Sequence, residues 1–196
     1  MDIIHSFDWK VFQLFENYLW NPVLNVIMTV ITTLGDGGVI WIACAICLLI
    51  TKKYRKVGAM VAVALIFSLI FTDGVFKPIF HRVRPFYFDG WPSEFIFPEL
   101  VSKPSSLSFP SGHTSSSFAA AIPMLLGCKK RIGIPAIVLA FLIAVSRIYV
   151  HVHYPTDVIF GVVFGVIYGL AAYFIVTKLV PIIAEKIKAK KAAKAE

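Results

Sequence analysis

VGAMVAVALIFSLIFTDGVF, residues 57–76, is twenty residues long and carries only Ser68, Thr72 and Asp73 as polar side chains. As a helix it reaches about 30 Å, the thickness of a bilayer's hydrocarbon core. A helix apolar on every face has to be buried in lipid or in the core of a large protein. The chain has 196 residues, 58% of them hydrophobic and 15% charged, with a mean hydropathy of +0.80. A soluble domain carries about 25% charged residues, so an ordinary soluble domain, a disordered chain and a disulfide scaffold are excluded together. The membrane is the solvent that remains.

Working outward, 132–150 and 156–180 are equally plain spans, and 38–51 is a shorter one. A further span opens after Pro110 with Thr114, Ser115, Ser116 and Ser117 and closes near Gly127. At the N-terminus, Phe7, Val11, Leu14, Phe15, Tyr18 and Leu19 recur at helical spacing, with Asp8, Lys10 and Glu16 on other faces. That pattern predicts an amphipathic helix lying in the interface. Asn21-Pro22 breaks it. Residues 23–34 then form either a short, tilted first span or one half of a kinked crossing, and the first arrangement is expected. The fold expected is an all-α membrane protein: a six-transmembrane-helix bundle with an N-terminal interfacial helix, one domain over residues 1–196.

The net charge of +8 comes from 19 Lys and Arg against 11 Asp and Glu. Fourteen of those cations are Lys10, the clusters Lys52-Lys53-Arg55-Lys56 and Lys129-Lys130-Arg131, and Lys178, Lys186, Lys188, Lys190, Lys191 and Lys194. With six spans these segments share one side, which the positive-inside bias makes cytoplasmic, together with both termini and a basic tail at 182–196. The charge is a topology signal, and no nucleic-acid partner is expected. The segments 35–38, 77–109 and 150–155 then face outward. Cys44 and Cys47 form a C-x-x-C inside an apolar run, with no nearby His or charge to activate a thiol, and read as packing residues. Asp2 and Asp8 replace the basic start of a cleavable signal peptide, and none is expected.

The other five cations, Lys77, Arg82, Arg84, Lys103 and Arg147, fall on the outward side, as do four of the five histidines. Ionisable groups at the membrane rim are costly and point to function. Three motifs collect them: Lys77 seven residues before Arg84-Pro85, then Pro110-Ser111-Gly112-His113, then Ser146-Arg147 followed by His153 and Asp157. Phosphoryl transfer needs positive charge around the equatorial oxygens, an in-line nucleophile and an acid for the leaving oxygen. Lys77, Arg84 and Arg147 supply the charge. Ser111 and Gly112 open a helix whose N–H groups make an anion site, and the Ser111 hydroxyl adds a donor. Asp157, in the first turn of the last span, can hold one nitrogen of His153 and free the other to attack. His113 is then the general acid. Asp73, one turn before Lys77, is placed to pair with it. His151, off the motif spacing, reads as loop packing, and His81 and Arg82 as a solvated loop.

The ordered trio resembles the signature of the type-2 phosphatidic acid phosphatase family, the lipid phosphate phosphatases related to vanadium haloperoxidases. The resemblance covers residues 77–157 and matches every defined position. It implies a phosphohistidine on His153, His113 as acid, and no metal or other cofactor. A site at the rim of a bundle with so little soluble mass suits a lipid phosphate. Undecaprenyl pyrophosphate is favoured, with phosphatidylglycerophosphate and phosphatidic acid next. The aromatic loop Phe86, Tyr87, Phe88, Trp91, Phe95 and Phe97 is expected to lie at the interface as a lid or entry ledge. The rival reading is a lipid-phosphate transporter that binds without hydrolysis, although no inverted repeat of broken helices supports it.

Overall fold

Two breaks in the first fifty residues decide how the N-terminal third is laid out. The computed structural model describes residues 2–92, 95, 97, 99–183 and 185. Helix α1 (Ile3–Tyr18) begins at Asp2, whose carboxylate accepts from the His5 N–H at 2.8 Å. Asn21-Pro22 ends that run and starts α2 (Pro22–Leu34), the Asn21 side chain accepting from the Leu24 N–H and the proline occupying the first helical position. The second break is Gly35-Asp36-Gly37-Gly38. Gly37 and Gly38 take φ of 59° and 66°, which glycine adopts without a Cβ penalty. The chain then enters α3 (Val39–Ile50).

This second break changes the expected span count. Six crossings require α2 and α3 to run antiparallel, but their axes are bent by only 45°. Along α2, Asn25 meets Tyr149 and Thr32 meets Arg147, while Gly35 lies against Ile143. The helix therefore descends along α6 from its outer end, and α3 continues in the same sense. Among the described residues, three helical stretches are long and apolar enough to cross a membrane, Arg55–Tyr87, Lys130–Tyr149 and Pro155–Ile183, or four if the bent pair is one span. Helix α1 lies entirely against the end of the bundle that holds residues 82–95 and 149–157. Length and composition do not bear out six spans: the Gly-rich break bends the chain where six spans require a hairpin.

Helix α4 (Arg55–Phe67) runs on through a π-helical stretch (Ser68–Phe76) into a last turn (Lys77–Phe80) and stops at His81, which is left-handed at φ 48°. Then follow α5 (Gly112–Gly127), α6 (Lys130–Tyr149) and α7 (Pro155–Phe174), the last extended by another π-helical turn (Ile175–Leu179). Helix α5 is only 16 residues long, yet it is the hub, packed on α4, α6 and α7. Small residues allow this: Ala119, Ala120 and Ala121 of α5 are fully buried, as is Ala140 of α6. Gly161, Gly165 and Gly169 put one glycine per turn on the α7 face that meets α5. Trp41 of α3 locks the same core by donating its indole N–H to Ser117 at 2.9 Å.

The basic loops 51–54 and 128–129 lie at the bundle end opposite residues 35–38, 73–77, 112–113 and 147–157, as the pairing of Gly127 with Val57 and of Gly58 with Leu49 shows. The expected basic tail, apart from its first residues, lies outside the described residues. A Cβ on Gly165 would sit 2.6 Å from the Ser115 carbonyl oxygen and 2.7 Å from the Phe118 Cβ. Gly165→Val is therefore expected to cost roughly 1–3 kcal/mol, read as a lower thermal midpoint in detergent. Gly74→Ala, where the nearest atom is 3.8 Å away, is expected to leave the midpoint unchanged.

Candidate active site

The third motif folds as a tight loop between α6 and α7, and its geometry follows from one cap. Pro155 starts α7, and the Asp157 carboxylate turns back to accept the N–H of Tyr154 at 3.1 Å. That reach brings Asp157 Oδ2 to within 3.4 Å of Nδ1 of His153. The same oxygen accepts the Ser108 hydroxyl, and Oδ1 accepts from Arg82 Nη1 at 2.6 Å. Both His153 and Asp157 are buried. Nε2 of His153 faces Arg84 Nη1 at 3.2 Å, and a guanidinium only donates, so the proton belongs on Nδ1 and the lone pair on Nε2. Burial pushes the imidazole well below its usual pKa, and Arg84, Arg147 and Lys77 push the same way. His153 is neutral at pH 7.

Lys77, Arg84 and Arg147 converge from three different elements. The π-helical stretch sets Asp73 and Lys77 one turn apart, and the two form an ion pair. Arg84 is aimed by the backbone: its Nε donates to the Ser106 carbonyl at 2.7 Å, and Nη1 to that of Val152 at 2.7 Å. Burial pulls its pKa down to about 10, which leaves it charged. Arg147, in the last turn of α6, donates Nη1 to Thr32, while its buried Nε has no partner among the described residues. An unpaired buried donor costs free energy unless a ligand satisfies it.

The second motif starts α5. His113 projects from the first turn, and its Nε2 lies 2.8 Å from Oδ1 of Asp36 in the Gly-rich break. A Cβ on Gly112 would come within 3.4 Å of the Asp73 carboxylate and 3.5 Å of the Lys77 ammonium, so glycine keeps this helix start open to the cations. The Ser111 hydroxyl is fully buried and caps α5, accepting from the N–H and hydroxyl of Thr114 at 3.5 and 3.0 Å, and its own O–H remains a donor. Gly112 and His113 form the cavity wall here.

These groups surround the head of a cavity of about 810 Å³. Its head is lined by Lys77, Arg84, Gly112, His113, Arg147 and His153, and its body by Ile42, Ile46 and Leu49 of α3 with Leu65 and Ile66 of α4 and Leu69 of the π-helical stretch that continues it. Ile42, Ile46, Ile66 and Leu69 are about half exposed on the outer surface of the bundle, so the cavity opens sideways between α3 and α4.

Sequence reasoning missed four residues here. Arg82, expected in a solvated loop, is largely buried between Asp157 and Asp8. Asp8 and Asp36 sit on elements far away in the chain, and Ser108 lies in a loop without a pattern. The one available signal was Arg82 itself, a second arginine two residues before Arg84. The aromatic loop packs on α1, with Trp91 against Trp9 and Phe12.

A match to the PAP2 superfamily spans residues 53–181, from just before α4 to just past the π-helical turn that extends α7. The chain belongs to the PAP2 superfamily. It is 34% identical over 156 residues to an undecaprenyl-diphosphatase of Sulfolobus acidocaldarius, covering 80% of this chain and 72% of that protein. To phosphatidylglycerophosphatase B of Bacillus subtilis it is 33% identical over 151 residues, covering 71% and 69%. The crystal structure of Aquifex aeolicus LpxE superposes with a TM-score of 0.74 at 28% identity, covering 88% of this chain and 99% of that one.

His151 is a separate feature of the same loop: buried, at φ 54°, and packed at a tilt against Phe12 with ring centroids 4.6 Å apart. Burial lowers its pKa to about 4. Between that value and the unfolded value near 6.5, the unfolded chain binds more protons than the native one, so stability falls as pH falls. The thermal midpoint in detergent is expected to drop between pH 7 and pH 5, and less steeply in His151→Phe. An identical slope in that variant would assign the effect to other groups.

Proposed function

We propose that the protein is an integral membrane lipid phosphatase that hydrolyses a phosphate monoester or diphosphate of a lipid through a phosphohistidine on His153, without a metal, on the outer face of the membrane. One observation carries this reading: a single cavity joins a head of three cations and two imidazoles to an apolar groove that opens sideways onto the lipid-facing surface. A soluble phosphate ester has no use for that groove.

Lys77, Arg84 and Arg147 hold the phosphoryl oxygens, with the Arg147 Nε gaining the acceptor it lacks. Nε2 of His153 attacks phosphorus in line with the leaving oxygen. The P–N bond forms as the P–O bond breaks, and the leaving oxygen takes a proton from His113 in its imidazolium form, which the Asp36 carboxylate beside Nε2 favours. Neutral His113 then accepts a proton from water, whose oxygen attacks phosphorus, breaks the P–N bond and frees inorganic phosphate. The carboxylates nearby are already engaged, Asp73 by Lys77, Asp157 by Arg82 and Asp36 by His113, which favours chemistry carried by side-chain cations. Undecaprenyl pyrophosphate is the favoured substrate because a relative 34% identical over 80% of this chain is named an undecaprenyl-diphosphatase. Phosphatidylglycerophosphate and phosphatidic acid come next.

For topology, the basic loops mark the cytoplasmic side and the site faces outward. Counting α2 and α3 as one broken crossing gives five, with the N-terminus beside the site and the C-terminus on the opposite side.

Phosphate release from undecaprenyl pyrophosphate, phosphatidylglycerophosphate and phosphatidic acid in detergent with EDTA tests the chemistry. Full activity is expected with EDTA, and His153→Ala is expected to lose at least about a thousandfold in kcat. Turnover by that variant at the normal rate would sink the nucleophile assignment, and inhibition by EDTA the metal-free one. In a cysteine-free background, an impermeant thiol reagent applied to cells is expected to label Asp89→Cys and Ile3→Cys but not Lys53→Cys. Protection of Ile3→Cys alone would restore an even number of crossings.

A further inference from the structure

Asp8 is a fully buried carboxylate on α1, outside the stretch that matches the superfamily, and all its partners belong to the site. Oδ1 accepts the backbone N–H of Thr156 at 2.9 Å. Oδ2 accepts the Thr156 hydroxyl at 2.9 Å and Nη2 of Arg82 at 2.7 Å. Thr156 is the second residue of α7 and the neighbour of Asp157, so Asp8 caps the helix that carries that carboxylate. Arg82 completes the link: Nη1 donates to Asp157 Oδ1 at 2.6 Å and to Thr156 Oγ1 at 2.7 Å, and the guanidinium lies 3.7 Å over the Tyr154 ring.

The sign of this cluster matters as much as its geometry. Two carboxylates share one guanidinium, leaving one negative charge beside His153. The imidazole otherwise faces Arg84, Arg147 and Lys77. When Nε2 bonds to phosphorus while Nδ1 keeps its proton, the ring becomes cationic, and those three cations oppose it. If Arg82 had Asp157 as its sole partner, the pair would be neutral and would offer the ring little compensation. By drawing part of the guanidinium's charge, Asp8 leaves Asp157 free to stabilise the ring, in a site where low dielectric makes the effect large.

We propose that Asp8 is a positioning residue of the active site: through Arg82 and the start of α7 it fixes Asp157 and preserves the charge that stabilises phosphorylated His153. The N-terminal helix is then a working part of the enzyme. This rests on His153 being the nucleophile.

The test uses the full chain in detergent and phosphate release from undecaprenyl pyrophosphate. Asp8→Asn keeps an acceptor for the Thr156 N–H and removes the charge. It is expected to lower kcat about tenfold with KM changed less than about twofold, and Asp8→Glu to regain most of the loss. In an Arg82→Gln background, Asp8→Asn is expected to cost less than about twofold more, because the two act as one unit. Should Asp8→Asn not fold, Arg82→Lys, which keeps the charge but cannot bridge both carboxylates, is expected to show the same loss of kcat. A folded Asp8→Asn enzyme with normal kcat, a rise in KM alone, or additive losses with Arg82→Gln would each overturn the proposal. His153→Ala, run alongside, separates the two claims. If it is inactive while Asp8→Asn turns over normally, the inference alone fails; if it is active, the nucleophile assignment fails first.

Discussion

Lys77, Arg84 and Arg147 repel one another at one end of an apolar bundle, and most of the unusual features of that end answer this repulsion. In water the three charges would be screened within about 10 Å; against lipid and buried protein they are not. Lys77 is neutralised by Asp73 one turn earlier. Arg84 is held by two backbone carbonyls and Ser106, and Arg147 by a single threonine hydroxyl. Neutral dipoles orient these guanidinia without cancelling them. The site therefore carries uncancelled positive charge in its resting state, the condition a phosphate dianion relieves.

The same constraint explains why the bundle is built from small residues. Three cations and two imidazoles can line one cavity only if several elements end at the same depth. Glycine at 161, 165 and 169 and the alanine run at 119–121 let α5, α6 and α7 approach closely enough for His113, Arg147 and His153 to face one cavity. Asp157 joins several segments at once, taking Ser108, Arg82 and the Tyr154 N–H. Removing one partner from a buried ion pair costs roughly 3–5 kcal/mol, so the carboxylate also ties the loop, the last helix and the N-terminal helix together.

What the sequence made legible divides along the range of the interactions. Asp73 with Lys77 and His153 with Asp157 are four residues apart, a spacing that helical geometry turns into contact, and both pairs were readable. Arg82 is 74 residues from Asp8 and 75 from Asp157, and His113 is 77 from Asp36, so nothing local announces them. The cations show the same division. Six crossings put Lys10 with the cytoplasmic set, whereas α1 packs against the site end of the bundle. The two arrangements part at Gly35-Asp36-Gly37-Gly38, where composition signals a break and cannot distinguish a reversal from a 45° bend. That distinction depends on which helices the two halves pack against, a tertiary fact.

The groove between α3 and α4 bears on how such a site could select its lipid. Below the cation head its walls are aliphatic: Ile42, Ile46 and Leu49 face Leu65, Ile66 and Leu69. Apolar walls grip a chain by area, at roughly 25 cal/mol per Å², with little regard for whether it is acyl or prenyl. That grip is the same in the ground state and the transition state, so it lowers KM without raising kcat. In the proposed mechanism, discrimination in kcat then arises at the head, where the leaving oxygen meets His113. A diphosphate leaves as a phosphate that is already acidic, whereas an ester leaves as an alkoxide that needs the full proton. Asp36, beside His113, therefore matters most for the poorer leaving group, and variation at this one carboxylate would move preference between monoester and diphosphate without any change in the groove.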